Sequence, residues 1–229
     1  MSNYKTKFWW NLMTELLKRF ATSIILLPLL IFCFYISGKI LILFLFLFLA
    51  LCVYEIFINS KNIIFNLVSS FIVLAAFYSA YFLRNENDNS VLILVWCFLT
   101  TFFSDIGGYV FGKTFKGKKL TKISPNKTYS GAFGSFVFSV ISLPILNSYQ
   151  DTLINLNLID FMSIKFLSLT LFMSLICQCG DLLVSYYKRA LNIKDISNFL
   201  PGHGGVLDRI DGLIFVLIFG YIFTNIVFN

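Results

Sequence analysis

The chain has 229 residues, of which 58% are hydrophobic and only 13% are charged, and its formal net charge is +7. A soluble domain carries about 25% charged residues, so a water-facing globule is excluded and lipid must solvate most of the surface. No nucleic-acid-binding motif accompanies the positive charge, so we expect no nucleic acid partner. The composition predicts an all-α polytopic membrane protein.

The N-terminal residues 1–20 are predicted to lie in the membrane interface, because residues 8–20 combine aromatic and apolar side chains with Lys18 and Arg19. This polar tail and the apolar run after it lack a signal-peptide cleavage site, so no cleavable leader is expected. We predict one integral membrane catalytic domain over residues 1–229, without a separate soluble domain.

Seven apolar runs follow, each long enough to cross a bilayer core about 30 Å thick, which needs about 20 helical residues. The runs are 21–37, 40–58, 63–83, 91–111, 129–147, 161–187 and 210–227. Only three residues separate the first two runs, so the predicted number of transmembrane helices is about seven, within a range of six to nine.

The distribution of Lys and Arg orients these helices. With the N-terminus in the cytoplasm, all but three of the 18 Lys and Arg fall on the cytoplasmic side, the exceptions being Lys39, Arg84 and Lys165. Loops 112–128 and 188–209 then lie on the same cytoplasmic side. Both are rich in Gly, Pro, Ser and charge, so we predict that they are the active-site loops.

Two aspartates are predicted to lie inside the membrane at similar depth. Asp181 precedes Lys188 by seven residues and Asp105 precedes Lys113 by eight, which is about 10 and 12 Å at 1.5 Å per residue. Ser185 and Lys188 share a helix face with Asp181. An intramembrane carboxylate suggests a functional site, although an ion pair with a neighbouring Lys or Arg is the structural alternative.

A glycine-rich segment leads into the last apolar run. Gly202, Gly204 and Gly205 permit a close approach to phosphate, and a helix N-terminus favours anions. Asp208 and Asp211 then share a face, and such carboxylates suit Mg²⁺. His203 is the only histidine; a phosphate contact or loop hydrogen bonding is favoured for it over a general-base role.

Residues 124–128 (Ser-Pro-Asn-Lys-Thr) form a compact polar turn before a membrane helix, where donors can meet phosphate or a nucleobase. The nearby Gly107, Gly108 and Gly112 are better explained by close helix packing. The cysteines are interpreted as buried small hydrophobes rather than as zinc ligands or disulfides. They are Cys33, Cys52, Cys97, Cys177 and Cys179.

These motifs resemble the phosphatidate cytidylyltransferase (CDP-diacylglycerol synthase) family over nearly the whole chain. The family's C-terminal pattern is matched by Ser185, Lys188, Arg189, Lys194, Asp195, His203, Gly204, Gly205, Asp208, Arg209 and Asp211. Its upstream pattern is matched by Asp105, Tyr109, Gly112, Lys113 and residues 124–128. Glu55 and the 19–28 region are weaker similarities. Val184 and Ser130 depart from the pattern, since the family usually has Glu at both positions.

The resemblance implies transfer of the cytidylyl group of CTP to phosphatidate, giving CDP-diacylglycerol and pyrophosphate, at the cytoplasmic face of a bacterial inner membrane. It implies Mg²⁺, with a second cation plausible. Under it, Asp181 and Asp208 are metal ligands, Asp211 is a third candidate, and Lys188, Arg189 and Arg209 neutralise phosphates. The remaining expected substrate contacts are Asp105, Ser124, Lys127, Thr128, Ser185, Gly202, His203, Gly204 and Gly205.

Two other functions are compatible with parts of the sequence. A CTP-dependent kinase of a polyprenol or similar lipid alcohol would release CDP instead of pyrophosphate. A transporter would also explain intramembrane aspartates, but the charges cluster at one membrane edge and no inverted repeat is present. The sequence leaves the oligomeric state open, a homodimer included, as well as the acyl-chain preference.

Overall fold

The computed structural model describes residues 38–121, 123–153, 159–197, 199–200 and 204–227. Helices dominate these ranges, which contain isolated β-bridges but no strand. The helices are α1 (Gly38–Asn59), α2 (Ile63–Asn85), α3 (Asp88–Phe115), α4 (Tyr129–Ser139), α5 (Ser142–Leu153), α6 (Ile164–Ala190) and α7 (Leu207–Val227). The predicted interfacial segment and the first apolar run lie outside the described residues.

Five helical stretches of the described chain are long and apolar enough to cross a membrane. They are Gly38–Asn59, Ile63–Asn85, Asn89–Phe115, Tyr129–Gln150 and Ile164–Ala190. Large apolar side chains point outward from them, among them Phe46 (66% exposed) and Phe71 (69% exposed), as lipid contact requires. The prediction of an all-α polytopic membrane protein is therefore confirmed. The seventh run lies in α7, and the total of seven stays a prediction.

Two helices continue past the apolar runs that predicted them. Helix α3 extends to Phe115 and α6 to Ala190, so the predicted active-site loops shorten to residues 116–128 and 191–206. Lys113 lies in the last turn of α3, and Lys188 and Arg189 lie in the last turn of α6. Cations are favourable there because they face the negative end of the helix dipole, which explains why the helices outlast the apolar pattern.

The fifth apolar run is divided into α4 and α5 at residues 140–141. Pro144 lies in the first turn of α5, where its missing N–H is tolerated, whereas in a continuous helix it would lose the bond to the Val140 carbonyl. The Ile141 N–H instead donates to Phe138 and the Leu143 N–H to Val140, each three residues back. The run still qualifies as one membrane-spanning stretch.

The described residues fall into two compact units. One contains α1, the start of α2 and Ile193–Arg209; the other contains Phe71–Asn192 and the chain from Ile210 onward. Within the second unit, α3 and α4 touch through their glycines: a Cβ on Gly107 would overlap the Gly134 carbonyl oxygen, and one on Gly131 would lie 2.8 Å from the Gly108 oxygen. The packing interpretation of these α3 glycines is thus confirmed.

Candidate active site

The loop between α3 and α4 is a small hairpin that carries Lys127. The Leu120 N–H donates to the Lys127 carbonyl (2.7 Å) and the Tyr129 N–H to the Lys118 carbonyl (3.1 Å). At its tip, the Lys127 N–H donates to the Ser124 carbonyl, and Pro125 occupies the second position of the turn, which its fixed φ favours. Ser124 is therefore held by backbone geometry close to Lys127.

Thr128 forms the N-cap of α4. Its Oγ1 accepts the Gly131 N–H at 3.1 Å and lies 3.0 Å from the Ser130 hydroxyl. The Ser130 hydroxyl in turn donates to the Lys116 carbonyl. Thr128 thus has a clear local role in starting the helix, and its predicted role in binding substrate stays a prediction.

The two intramembrane aspartates come together beside Lys127. One carboxylate oxygen each of Asp105 and Asp181 and the Cys177 Sγ lie within 4.8 Å of one another. Lys127 Nζ lies 3.1 Å from Asp181 Oδ2, and both side chains are partly buried, at 29% and 20% exposed. The ion-pair alternative is therefore realised at Asp181. Its cation comes from the predicted substrate-binding turn.

A cavity of about 290 Å³ opens beside this cluster, wholly within the second unit. Asp105, Asp181, Ser124, Lys127 and Thr128 all contribute to its walls. The rest of the lining comes from Gly108, Tyr109, Leu120, Asn126, Gly131, Ala132, Ser135 and Gln178. Five residues that the sequence selected from three parts of the chain, namely α3, the 124–128 turn and α6, thus line one recess.

Asp211 adds a third carboxylate to the second unit. It lies within electrostatic reach of Asp181 and Lys188. The close approach of α7 to α6 depends on glycines: a Cβ on Gly212 would lie 2.6 Å from Asp181 Oδ1, and one on Gly180 would lie 3.2 Å from the Asp211 carbonyl oxygen. The structure therefore brings Asp105, Asp181 and Asp211 into one acidic neighbourhood.

The remaining predicted residues of α6 occupy its last two turns. Ser185 and Lys188 are partly exposed one and two turns beyond Asp181, and Arg189 is exposed in the last turn. Arg209, in the first turn of α7, is exposed as well. These positions are compatible with contacts to a polyanion, but their roles stay predictions.

The described glycines of the glycine-rich turn, Gly204 and Gly205, belong to the first unit, and this turn is tied to Asp208. Asp208 Oδ2 accepts the Ile196 N–H at 2.8 Å and the Gly205 N–H at 2.9 Å. Gly204 has φ +85°, which favours glycine, and it exchanges two backbone hydrogen bonds with Leu200. Gly202 and His203 lie outside the described residues. The predicted pairing of Asp208 with Asp181 in a metal site stays a prediction.

The structure gives Glu55 more contacts than the sequence indicated, where it was only one of the weaker similarities to the family. Its side chain is 2% exposed in the first unit and accepts hydrogen bonds from Ser197, Val206 and Leu207. The available signal was a charged residue near the end of an apolar run, since such a residue is costly unless it is partnered.

The donor set suits a hard divalent cation. Mg²⁺ is usually held by one or two carboxylates together with substrate phosphates, and Asp105 and Asp181 offer two carboxylates at the edge of the cavity. The thiol of Cys177, which lies 4.0 Å from Asp105 Oδ1, is a soft ligand and does not suit Mg²⁺. Asp105 therefore joins Asp181 as a candidate ligand, beyond the substrate contact predicted for it.

An all-α membrane fold with two clustered carboxylates, a lysine-bearing turn and an adjoining cavity defines a polytopic membrane protein with one candidate active site in the described residues. The chain belongs to the cytidylyltransferase family, whose sequence model matches residues 57–227. Named relatives support this assignment.

One protein from Staphylococcus epidermidis (strain ATCC 35984), named phosphatidate cytidylyltransferase, is 37% identical over 138 residues, covering 60% of this chain and 50% of the relative. Proteins of the same name from Bacillus subtilis (strain 168) and Staphylococcus aureus (strain COL) are 36% and 38% identical, covering 66% and 67% of this chain and 56% and 55% of theirs. The chain thus spans about half the length of the curated relatives it matches.

Proposed function

We propose that this chain transfers the cytidylyl group of CTP to phosphatidate, releasing pyrophosphate and forming CDP-diacylglycerol. The observation that carries the proposal is the cluster of Asp105, Asp181 and Lys127 at one polar cavity, in a chain of the cytidylyltransferase family. Relatives named phosphatidate cytidylyltransferase supply the substrate class.

The chemistry requires charge neutralisation more than a strong base. A phosphate oxygen of phosphatidate attacks the α-phosphorus of CTP, a bond to that phosphorus forms, and the bond to the β-phosphate oxygen breaks. A phosphomonoester has a second pKa near 6, so the nucleophile is already ionised at neutral pH. Lys127 can then neutralise phosphate oxygens, which reduces the repulsion between two anionic substrates.

Asp105 and Asp181 are the residues that would hold Mg²⁺, and Asp208, in the first turn of α7, is a further candidate. Bound there, the cation would supply positive charge to phosphate oxygens of the nucleotide. Lys127 faces the same carboxylate of Asp181, so the ammonium group is available to move to a phosphate when a divalent cation neutralises that carboxylate.

The depth of the carboxylates fits a lipid substrate that stays in its leaflet. Asp105 and Asp181 lie about 10–12 Å along their helices from Lys113 and Lys188, at 1.5 Å per residue. A headgroup drawn slightly inward meets a nucleotide that enters from the aqueous side. We place this side in the cytoplasm of a bacterium, with the chain in the inner membrane, on the basis of the Lys and Arg distribution.

Product analysis tests the proposal. The full chain in mixed micelles of detergent and phosphatidate receives Mg²⁺ and CTP labelled separately at the α- and γ-phosphates. We expect α-label in the lipid phase and γ-label in pyrophosphate, and removal of Mg²⁺ by EDTA should stop both reversibly. In parallel micelles that also contain a polyprenol, transfer of γ-label to this alcohol with release of CDP would contradict the proposal and support the kinase.

Isosteric variants connect the activity to the site. Asp181→Asn should lower kcat by about 10²-fold or more, as expected when a group that stabilises transition-state charge is lost. Asp208→Asn should abolish turnover, although it keeps an oxygen for the Ile196 and Gly205 N–H groups. Asp160→Asn is the matched control, because Asp160 is exposed before α6 and its carboxylate accepts the Met162 N–H. Equal activities of Asp181→Asn and the control would reject the site.

A further inference from the structure

Glu55 is a buried carboxylate that accepts three hydrogen bonds from one distant segment of the first unit. Glu55 Oε1 accepts the Ser197 hydroxyl at 2.6 Å and the Val206 N–H at 2.9 Å, and Oε2 accepts the Leu207 N–H at 2.9 Å. Burial of a charge is expensive unless hydrogen bonds compensate for it. Three donors aimed at two oxygens provide that compensation.

The carboxylate completes the N-terminus of α7. The first N–H groups of a helix lack intrahelical acceptors, and Glu55 accepts from Leu207, the first helical residue, and from Val206 before it. A negative charge at this end also complements the helix dipole. Helix α7 therefore begins at this position because a side chain of α1 defines it.

The same carboxylate explains the glycine at position 205. A Cβ on Gly205 would lie 2.8 Å from Glu55 Oε1 and 2.9 Å from Oε2, closer than real Cβ contacts allow. Position 205 therefore requires glycine because the Glu55 carboxylate occupies the space that a Cβ would need. Gly205 itself donates its N–H to Asp208 Oδ2, so the residue held against Glu55 also orients Asp208.

A second residue of α1, Asn59, is hydrogen-bonded to the segment that carries Ile196. Asn59, one helical turn after Glu55, donates from Nδ2 to the Glu55 carbonyl and to the Ile196 carbonyl, both at 2.7 Å. The Ile196 N–H donates to Asp208 Oδ2. Asp208 accepts hydrogen bonds from Ile196 and Gly205. Asn59 therefore holds the backbone at the first of these residues, and Glu55 holds it next to the second.

We infer that Glu55 is a positioning residue for the proposed reaction: it fixes the backbone at residues 205–207 and thereby the orientation of Asp208 and of the described end of the glycine-rich turn, Gly204 and Gly205. It acts through these groups and need not touch substrate. Glu55 lies two residues before the span matched by the family's sequence model. The kinetic part of the inference rests on the proposed function, whereas the structural part does not.

The sharpest substitution is Glu55→Gln, because it preserves size but turns one acceptor into a donor. The new NH₂ group must face the Val206 or Leu207 N–H, so one backbone donor loses its partner. We expect hydrogen exchange of the 206–207 amides to accelerate at least about tenfold in substrate-free protein. We also expect kcat to fall about 10–100-fold, as for lost supports of ligating groups.

The Mg²⁺ dependence and the KM for phosphatidate, measured together, distinguish a positioning role of Glu55 from a purely stabilising role. Since Glu55 acts on Asp208 and the turn, Glu55→Gln should raise the Mg²⁺ concentration for half-maximal rate while the KM for phosphatidate stays within about twofold. Cys52→Ala is the matched control: Cys52 is fully buried three residues earlier on the same face of α1. It should lower the melting temperature without changing kcat or exchange at 206–207.

Unchanged exchange at 206–207 in Glu55→Gln would overturn the inference. So would faster exchange combined with the kcat and Mg²⁺ dependence of Cys52→Ala, because Glu55 would then only support the fold. If Glu55→Gln does not fold, Ser197→Ala removes one donor and should shift kcat and exchange in the same direction by less; no shift would again overturn the inference. If the wild-type chain makes no CDP-diacylglycerol, the proposed function fails, and the exchange experiment still decides what Glu55 holds.

Discussion

Replacement of Lys127 by Met tests the central ion pair of the candidate site. The substitution keeps an unbranched side chain of similar length but removes the ammonium group that lies 3.1 Å from Asp181 Oδ2. Asp181 is then left beside Asp105 without this cation. We expect both the stability of the protein and the rate of cytidylyl transfer to fall.

The size of the stability effect follows from the partial burial of the pair. At 3.1 Å the gross attraction is about 5 kcal/mol with an effective dielectric constant of about 20, but desolvation and solvent screening oppose it. Removing one partner costs about 3–5 kcal/mol in a buried pair and about 0–1 kcal/mol at a surface. With side chains 29% and 20% exposed, we expect Lys127→Met to cost about 2 kcal/mol.

A double-mutant cycle measures the pair directly. Asp181→Asn, Lys127→Met and the double variant are compared by thermal unfolding in detergent, and the double variant should recover about 1–2 kcal/mol of the summed losses, because neither residue is then an unpaired charge. In the labelled-CTP assay, Lys127→Met should lower kcat by about 10²–10³-fold, whereas Lys118→Met, on an exposed residue of the same hairpin, should not. Negligible coupling with nearly normal turnover of Lys127→Met would refute the reasoning.

Two further substitutions test how the site is built. Thr128→Ala removes the N-cap of α4 and should lower the free energy of unfolding by about 1 kcal/mol, measured by thermal unfolding. Thr128→Ser keeps the capping hydroxyl and should retain most of that stability. Equal stability of the Ala and Ser variants would contradict the capping role. Gly107→Ala introduces a Cβ into the Gly134 carbonyl and should force α3 and α4 apart, lowering the melting temperature and the rate together. A fully stable and active Gly107→Ala would refute the packing argument.

The convergence of Asp105 and Asp181 could be predicted because helix geometry is regular. A fixed rise per residue converts sequence distance from a basic helix end into depth, and two helices with the same direction then carry their carboxylates to one level. The glycines of α3 could be assigned to packing for a similar reason: small residues are what allows membrane helices to approach closely. Both conclusions needed only the geometry of a single helix and the size of its side chains.

Glu55 could not be assigned in the same way, because its partners are far away in the sequence. Ser197 and Leu207 follow it by 142 and 152 residues, and no local pattern encodes such a contact. The helix ends were also predicted too early, since α3 and α6 continue through basic residues that the helix dipole stabilises. The role of Asp208 in holding two backbone amides likewise depends on tertiary structure, whereas its charge was evident from the sequence.

The balance of charge in the second unit indicates why lysines alone would not prepare the site for a nucleotide. Asp105, Asp181 and Asp211 act on one another, and Lys127 and Lys188 are the opposing cations whose fields reach them. A divalent cation held by Asp105 and Asp181 would add positive charge where these carboxylates face the two ammonium groups, which a nucleotide triphosphate requires. By neutralising the Asp181 carboxylate it would also weaken the ion pair with Lys127, so the same binding event would leave an ammonium group to contact the phosphates.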